Sequence, residues 1–233
     1  MGAGERLYFL PGLGADARLF TPQLEAFRHA VVPSWPDHRG CRSLGDLAER
    51  LADSIDLTPP TRVVGFSFGS MIALEMARRV PEASRPQEVI LISGLRSKRA
   101  VTGAFKRRAW AAQLAPKSVL RRRLVGPVAE NFRELDGVSD DVVGVLSAMA
   151  ADCDLDLLKW ALLGCARWAF DGTCPAPVRQ LHGRHDTVIP LVEHDWLPDG
   201  RATLAEGGHL LTLTNPEAVN AFIAGRGGAG ASG

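Results

Sequence analysis

The 233-residue chain carries 27 lysines and arginines against 26 acids, a formal charge of +1, and 46% of its residues are apolar. That length fits one globular domain with room for an insertion. The even balance gives no global attraction to nucleic acid or to an anionic membrane surface.

The N-terminal "MGAGERLYFL" has neither the basic n-region nor the apolar run of a signal peptide or a membrane anchor. Cys41, Cys153, Cys165 and Cys174 show no metal-type spacing and read as reduced thiols, so a cytoplasmic protein without a membrane span is expected.

Along the chain, short apolar runs alternate with amphipathic segments, which predicts a mostly parallel sheet with crossover helices. A strand is predicted at 6–10, followed by "PGLGAD", and a second at 29–33. A helix over 43–55 carries Leu44, Leu47, Ala48, Leu51 and Ile55 on one stripe. The next strand, 62–65, runs into Gly65-Phe66-Ser67-Phe68-Gly69 and a helix over 67–80 that stops before Pro81. "EVILIS" at 88–93 is a continuous apolar run, as expected of a strand covered on both faces.

After Leu95 the alternation stops. Residues 96–170 read as helices only, with breaks near Pro116, Gly126-Pro127 and Gly137, and Asp154 as the N-cap of the last of them. An all-helical stretch between two strands of one sheet reads as a lid. Strands resume at 178–182 and 201–204, and a final helix starts at Asn215-Pro216 and runs to about 224. The expected organisation is a core of 1–95 and 171–224, a lid of 96–170, and a tail, 225–233, too poor in apolar residues to pack.

A serine between glycines at a strand-to-helix junction predicts a turn so tight that larger flanking side chains would clash, with the Ser67 hydroxyl displayed above the sheet. The best candidate base is His209 in "AEGGHLLTL", on a loop at the carboxyl end of the sheet, where active sites of open α/β sheets lie. The best candidate acid is Asp186 in "LHGRHDTVIP", just past the preceding strand. His182 falls inside that strand as a core or supporting group, His185 points elsewhere if Asp186 faces the site, and His38 is a distant second as base. Glycines 12 and 14 let backbone approach a ligand, and the N–H groups of Leu13 and Phe68 are the predicted oxyanion donors.

From Tyr8 to Ile223 the sequence resembles the α/β-hydrolase superfamily, in its esterase and lipase-like branch. "PGLGAD", "GFSFGS", "LHGRHD" and "EGGHLLT" fall where that family has its oxyanion loop, nucleophile elbow, acid and base, in the family's order Ser, Asp, His. One departure is Pro11, where many members have histidine. The resemblance implies an α/β-hydrolase fold with a helical cap after the strand "EVILIS". It also implies a serine hydrolase of carboxylic esters or acyl thioesters, needing no metal or organic cofactor. A serine at the elbow argues against the haloalkane dehalogenase and epoxide hydrolase members, which use aspartate there. Carbon–carbon bond hydrolysis, acyl transfer or lyase chemistry with the same triad, or a non-catalytic receptor on this scaffold, are the alternatives.

The segment 96–170 raises two more questions. Its aromatics, Trp168 first among them, either line an acyl pocket or pack the helices together. Its charge is divided, basic from Lys98 to Arg123 and acidic from Glu130 to Asp156. The two halves either pair with each other, or the basic one recruits an anionic acyl carrier.

Overall fold

The computed structural model describes residues 5–124, 128–190 and 202–225. Six strands, β1 (Arg6–Leu10), β2 (Ala30–Val31), β3 (Thr61–Phe66), β4 (Glu88–Ile92), β5 (Val178–Gly183) and β6 (Thr203–Ala205), form one sheet in the order β2-β1-β3-β4-β5-β6. Every neighbouring pair is parallel, with Leu10 opposite Gly65, Gly65 opposite Leu91 and Leu181 opposite Thr203. All the strands therefore end at the same edge, and each return passes over a face of the sheet.

Both faces are covered, and the strand residues alternate between two cores. Tyr8, Leu10, Val63, Val89 and Leu91 pack on one side with α2 (Leu44–Ser54) and α3 (Phe68–Arg79). Leu7, Phe9, Val64, Ile90 and Ile92 pack on the other with α9 (Leu211–Thr214) and α10 (Pro216–Ile223). The caps follow the sequence: the Ser43 hydroxyl accepts from the Asp46 N–H, and the Asn215 side chain from the Ala218 N–H.

Strand boundaries move where chemistry forbids pairing. Only Ala30 and Val31 of the expected 29–33 pair with β1, because Pro33 has no N–H to donate at this sheet edge. The last strand is centred later than expected, and Ala205 O still accepts from the Arg184 N–H. The expectation for Arg201 lies outside the described residues, as does most of the tail. A short helix α1 (Thr21–Ala26) was not legible, since six residues are too few for a periodic stripe.

Between β4 and β5 lie α4 (Gly103–Leu114), α5 (Lys117–Arg123), α6 (Ala129–Asp136), α7 (Asp140–Asp152) and α8 (Leu155–Ala166). Pro116 separates α4 from α5 as its N-cap, and Gly137 in the left-handed region (φ 63°) ends α6. Asp154 caps α8 through the N–H groups of Asp156 and Leu157, while the break at Gly126-Pro127 falls outside the described residues. Among the described residues, no helix is long and apolar enough to cross a membrane.

Candidate active site

β3 ends at Phe66 and α3 starts at Phe68, so Ser67 alone turns the chain. It does so at φ 51° and ψ −115°, a conformation that side-chain-bearing residues rarely hold. The Ser67 N–H donates to Ile92 O at 3.1 Å, fastening the turn to β4. The flanking glycines are required by close backbone approach. A Cβ at Gly65 would stand 2.5 Å from Gly69 O and Ser70 Cα, and one at Gly69 would fall on Leu10 O and lie 2.8 Å from Pro11 O. Ser70 closes the turn by donating its hydroxyl to Gly65 O at 2.7 Å.

The loops after β5 and β6 bring two further groups to the same edge. Asp186 is buried, and its Oδ1 accepts the N–H groups of Val188 at 2.9 Å and Ile189 at 2.8 Å. Its Oδ2 faces the buried His209, whose Nδ1 lies 2.8 Å away. With the proton on Nδ1, His209 Nε2 is free to accept from the Ser67 hydroxyl at 3.2 Å. Ser67, His209 and Asp186, 142 and 23 residues apart in pairs, thus form one continuous hydrogen-bonded chain.

Behind Asp186 the chain continues into the core. His182 Nε2–H donates to Ile189 O at 2.7 Å and lies 3.3 Å from Asp186 Oδ2, while Gln180 donates to His182 Nδ1 at 3.3 Å. Gln180 in turn accepts from Arg96 Nε at 2.7 Å. Burial holds the His182 imidazole below its ordinary pKa of 6.5, which keeps it neutral, and its contacts with Ile189 O and Gln180 place the proton on Nε2. The supporting position expected for His182 is therefore the one it occupies.

Ser67 and His209 open onto a cavity of about 300 Å³. Gly12 and Leu13 line it on one side, Phe68 on another, and Phe105, Phe132 and Met149 of the helical segment cover it. Among the described lining residues none is Asp, Glu, Lys or Arg. Phe68 opens α3, so its N–H belongs to the first turn, which has no intrahelical acceptor. The two backbone positions expected to donate to an oxyanion, Leu13 and Phe68, thus border the same space as the Ser67 hydroxyl.

Other candidates lie elsewhere. His185 is exposed and pairs with Glu206 at 3.4 Å, and His38 packs against Trp160 with ring centres 5.7 Å apart. Of the two roles left open for Trp168, the structure shows packing: its indole N–H donates to the buried Glu75 at 2.9 Å, and its ring stacks on Phe170. Of the aromatics in 96–170, Phe105 and Phe132 line the cavity. Sequence reasoning missed Asp136, whose Oδ2 accepts the Leu210 N–H at 2.6 Å, and the stacking of Phe132 on His209. A helical Phe and Asp four residues apart carry no signal that would mark them out.

The chain matches the alpha/beta hydrolase family model over residues 7–222. It is 26% identical, over 91% of this chain and 93% of the relative, to a pimeloyl-[acyl-carrier protein] methyl ester esterase of Aromatoleum aromaticum. Among solved structures it is similar to a thermophilic esterase from Thermogutta terrifontis, with TM-score 0.76, 20% identity, and 97% and 90% of the two chains covered. An epoxide hydrolase from Bacillus megaterium gives TM-score 0.73 and 18% identity over 97% and 94%. Likeness at that level speaks for the architecture alone, since it joins proteins of different activity. The family model itself spans nearly the whole chain, and the chain belongs to the alpha/beta hydrolase family.

Proposed function

We propose that the chain is a carboxylic ester hydrolase working through an acyl-enzyme, with Ser67 as nucleophile, His209 as base and Asp186 as its orienting acid. The observation that carries this reading is the unbroken chain Asp186–His209–Ser67 opening onto an apolar cavity. His209 Nε2 takes the hydroxyl proton as Ser67 Oγ attacks the acyl carbon, then returns it to the departing alcohol or thiol oxygen or sulfur. Water, deprotonated by the same nitrogen, then releases the acid and restores Ser67. Asp186 Oδ2 holds the Nδ1 proton and stabilises the imidazolium formed in each half. The N–H groups of Leu13 and Phe68 receive the oxyanion, a donor of this kind being worth about 10²–10³ in rate.

The absence of ionised side chains among the described lining residues favours a neutral, apolar acyl group, because a charged one would be desolvated without a partner. Helices α4–α8 act in this reading as the lid that closes over it. Ser67→Ala tests the assignment. It is expected to lose p-nitrophenyl butyrate hydrolysis and labelling by a fluorophosphonate while keeping its fold. Labelling at another serine, or wild-type activity, overturns it.

An acyl chain delivered on an anionic carrier is the finer reading. Ala100, Thr102, Phe105 and Leu124 line the cavity, and beside them in sequence stand the exposed cations Lys98, Lys106 and Arg123. Among the described residues the acidic half meets this face through Lys117 and Asp156 at 2.7 Å. The carrier-linked ester in the relative's name points the same way. The expected result is a kcat/KM for an acyl-carrier thioester that falls with ionic strength and in Lys106→Glu/Arg123→Glu, with a small neutral ester unaffected. Equal responses of the two substrates would leave the basic face as solvation.

A further inference from the structure

The loop carrying His209 is held from the helical segment as well as from the sheet. Asp136, the last residue of α6, accepts the Leu210 N–H on Oδ2 at 2.6 Å. Its other oxygen, Oδ1, is buried and has no hydrogen-bond partner among the described residues. The carboxylate also fills the space over Gly208, where any Cβ would collide with it. One turn earlier Phe132 lies nearly parallel to the His209 ring, 11° between planes and 6.2 Å between centres.

A carboxylate is an expensive way to hold two neighbouring backbone N–H groups, that of Leu210 closely and that of His209 more weakly. Leaving Oδ1 buried and unpaired costs desolvation that a neutral acceptor in the same place would largely avoid. What the carboxylate adds is a negative charge beside the loop. The titratable groups coupled to it there are His209 and Asp186. On α6 itself Arg133 is turned away, onto Glu130 and Asp140. Burial pushes the Asp136 carboxyl up in pKa, while the Leu210 N–H and His209 pull it down.

We propose that Asp136 is a positioning residue for His209: it fixes the base-bearing loop through Leu210, with Phe132 closed over the imidazole, so the base is in register only while α6 is seated. The assignment rests on the reading of His209 as the base. Asp136 does not line the cavity, so its loss acts on chemistry and not on binding.

The test uses the full chain, p-nitrophenyl butyrate as substrate and the rate of fluorophosphonate labelling at Ser67. Asp136→Ala is expected to lower kcat on the order of 10²-fold, the scale of a misplaced catalytic group, with KM little changed and labelling slowed in parallel. Asp136→Asn keeps an acceptor for Leu210 and is expected to recover most of that loss. Should the alanine variant fail to fold, Asp136→Leu, close in volume and unable to accept from Leu210, takes its place. A folded Asp136→Ala with kcat within about twofold of wild type, or an Asp136→Asn no more active than the alanine variant, reduces Asp136 to a packing contact. Ser67→Ala run in parallel separates the two ideas: full activity there removes the hydrolase reading itself, whereas an inactive Ser67→Ala beside a normal Asp136→Ala removes only this inference.

Discussion

Asp186 Oδ2 lies 2.8 Å from His209 Nδ1 while Oδ1 of the same carboxylate is held by two backbone N–H groups, so the carboxylate cannot turn. In Asp186→Asn the amide oxygen must face those N–H donors, which leaves the NH₂ pointing at His209. It would donate to Nδ1, force the imidazole proton onto Nε2 and remove the acceptor from Ser67. The expected fall in kcat is on the order of 10⁴-fold with the fold unchanged. A kcat near wild type would require another carboxylate as the acid.

Gly69→Ala should be among the most damaging single-methyl additions in the chain. Its Cβ would meet the carbonyl oxygens of Leu10 and Pro11, backbone groups inside the sheet edge that no rotamer change can move aside. A loss of roughly 3 kcal/mol, the upper end for overpacking, is expected in chemical denaturation. A variant as stable as wild type would show that the elbow and the first loop can separate freely.

Trp168→Phe separates packing from substrate contact. It removes the donor to Glu75 Oε1, leaving Glu75 with Arg78 and Arg79 on Oε2 alone. About 1.5–3 kcal/mol of stability should go with it, as for other hydrogen bonds to charged groups. Preference among p-nitrophenyl esters of graded chain length should stay put, and should shift instead in Phe105→Ala. A chain-length shift in Trp168→Phe would return the indole to the cavity wall.

His182 makes stability depend on pH. Its folded pKa is held below the ordinary 6.5, so below that pH the unfolded chain takes up a proton that the folded chain refuses. Its contribution to stability is complete above 6.5 and drains away as pH falls toward the lower folded value. The Tm of the wild type should therefore drop through this range, and His182→Gln should flatten that part of the curve. An unchanged slope in His182→Gln would assign the effect to other groups.

Much of this protein is written in short stretches of sequence. The Gly65–Gly69 elbow, the Ser43, Asp154 and Asn215 caps and the continuous apolar run of β4 depend on neighbours within a few residues. Backbone sterics and local hydrogen bonds act over that range, so the order of elements and the edge at which Ser67, Asp186 and His209 gather follow from the chain alone. Elements with little local signal followed less well: the six-residue α1 went unread, and β2 is two residues long where a strand over 29–33 was expected.

The partners of individual side chains were decided by tertiary structure. Trp168 finds Glu75 across 93 residues, and Asp136 finds Leu210 across 74. A tryptophan reads the same whether it lines a pocket or donates to a buried carboxylate, and an aspartate at the end of a helix reads as solvated. Which of these holds depends on how α3, α6 and α8 settle against the sheet. That is set by the summed burial of many residues rather than by the few beside each side chain.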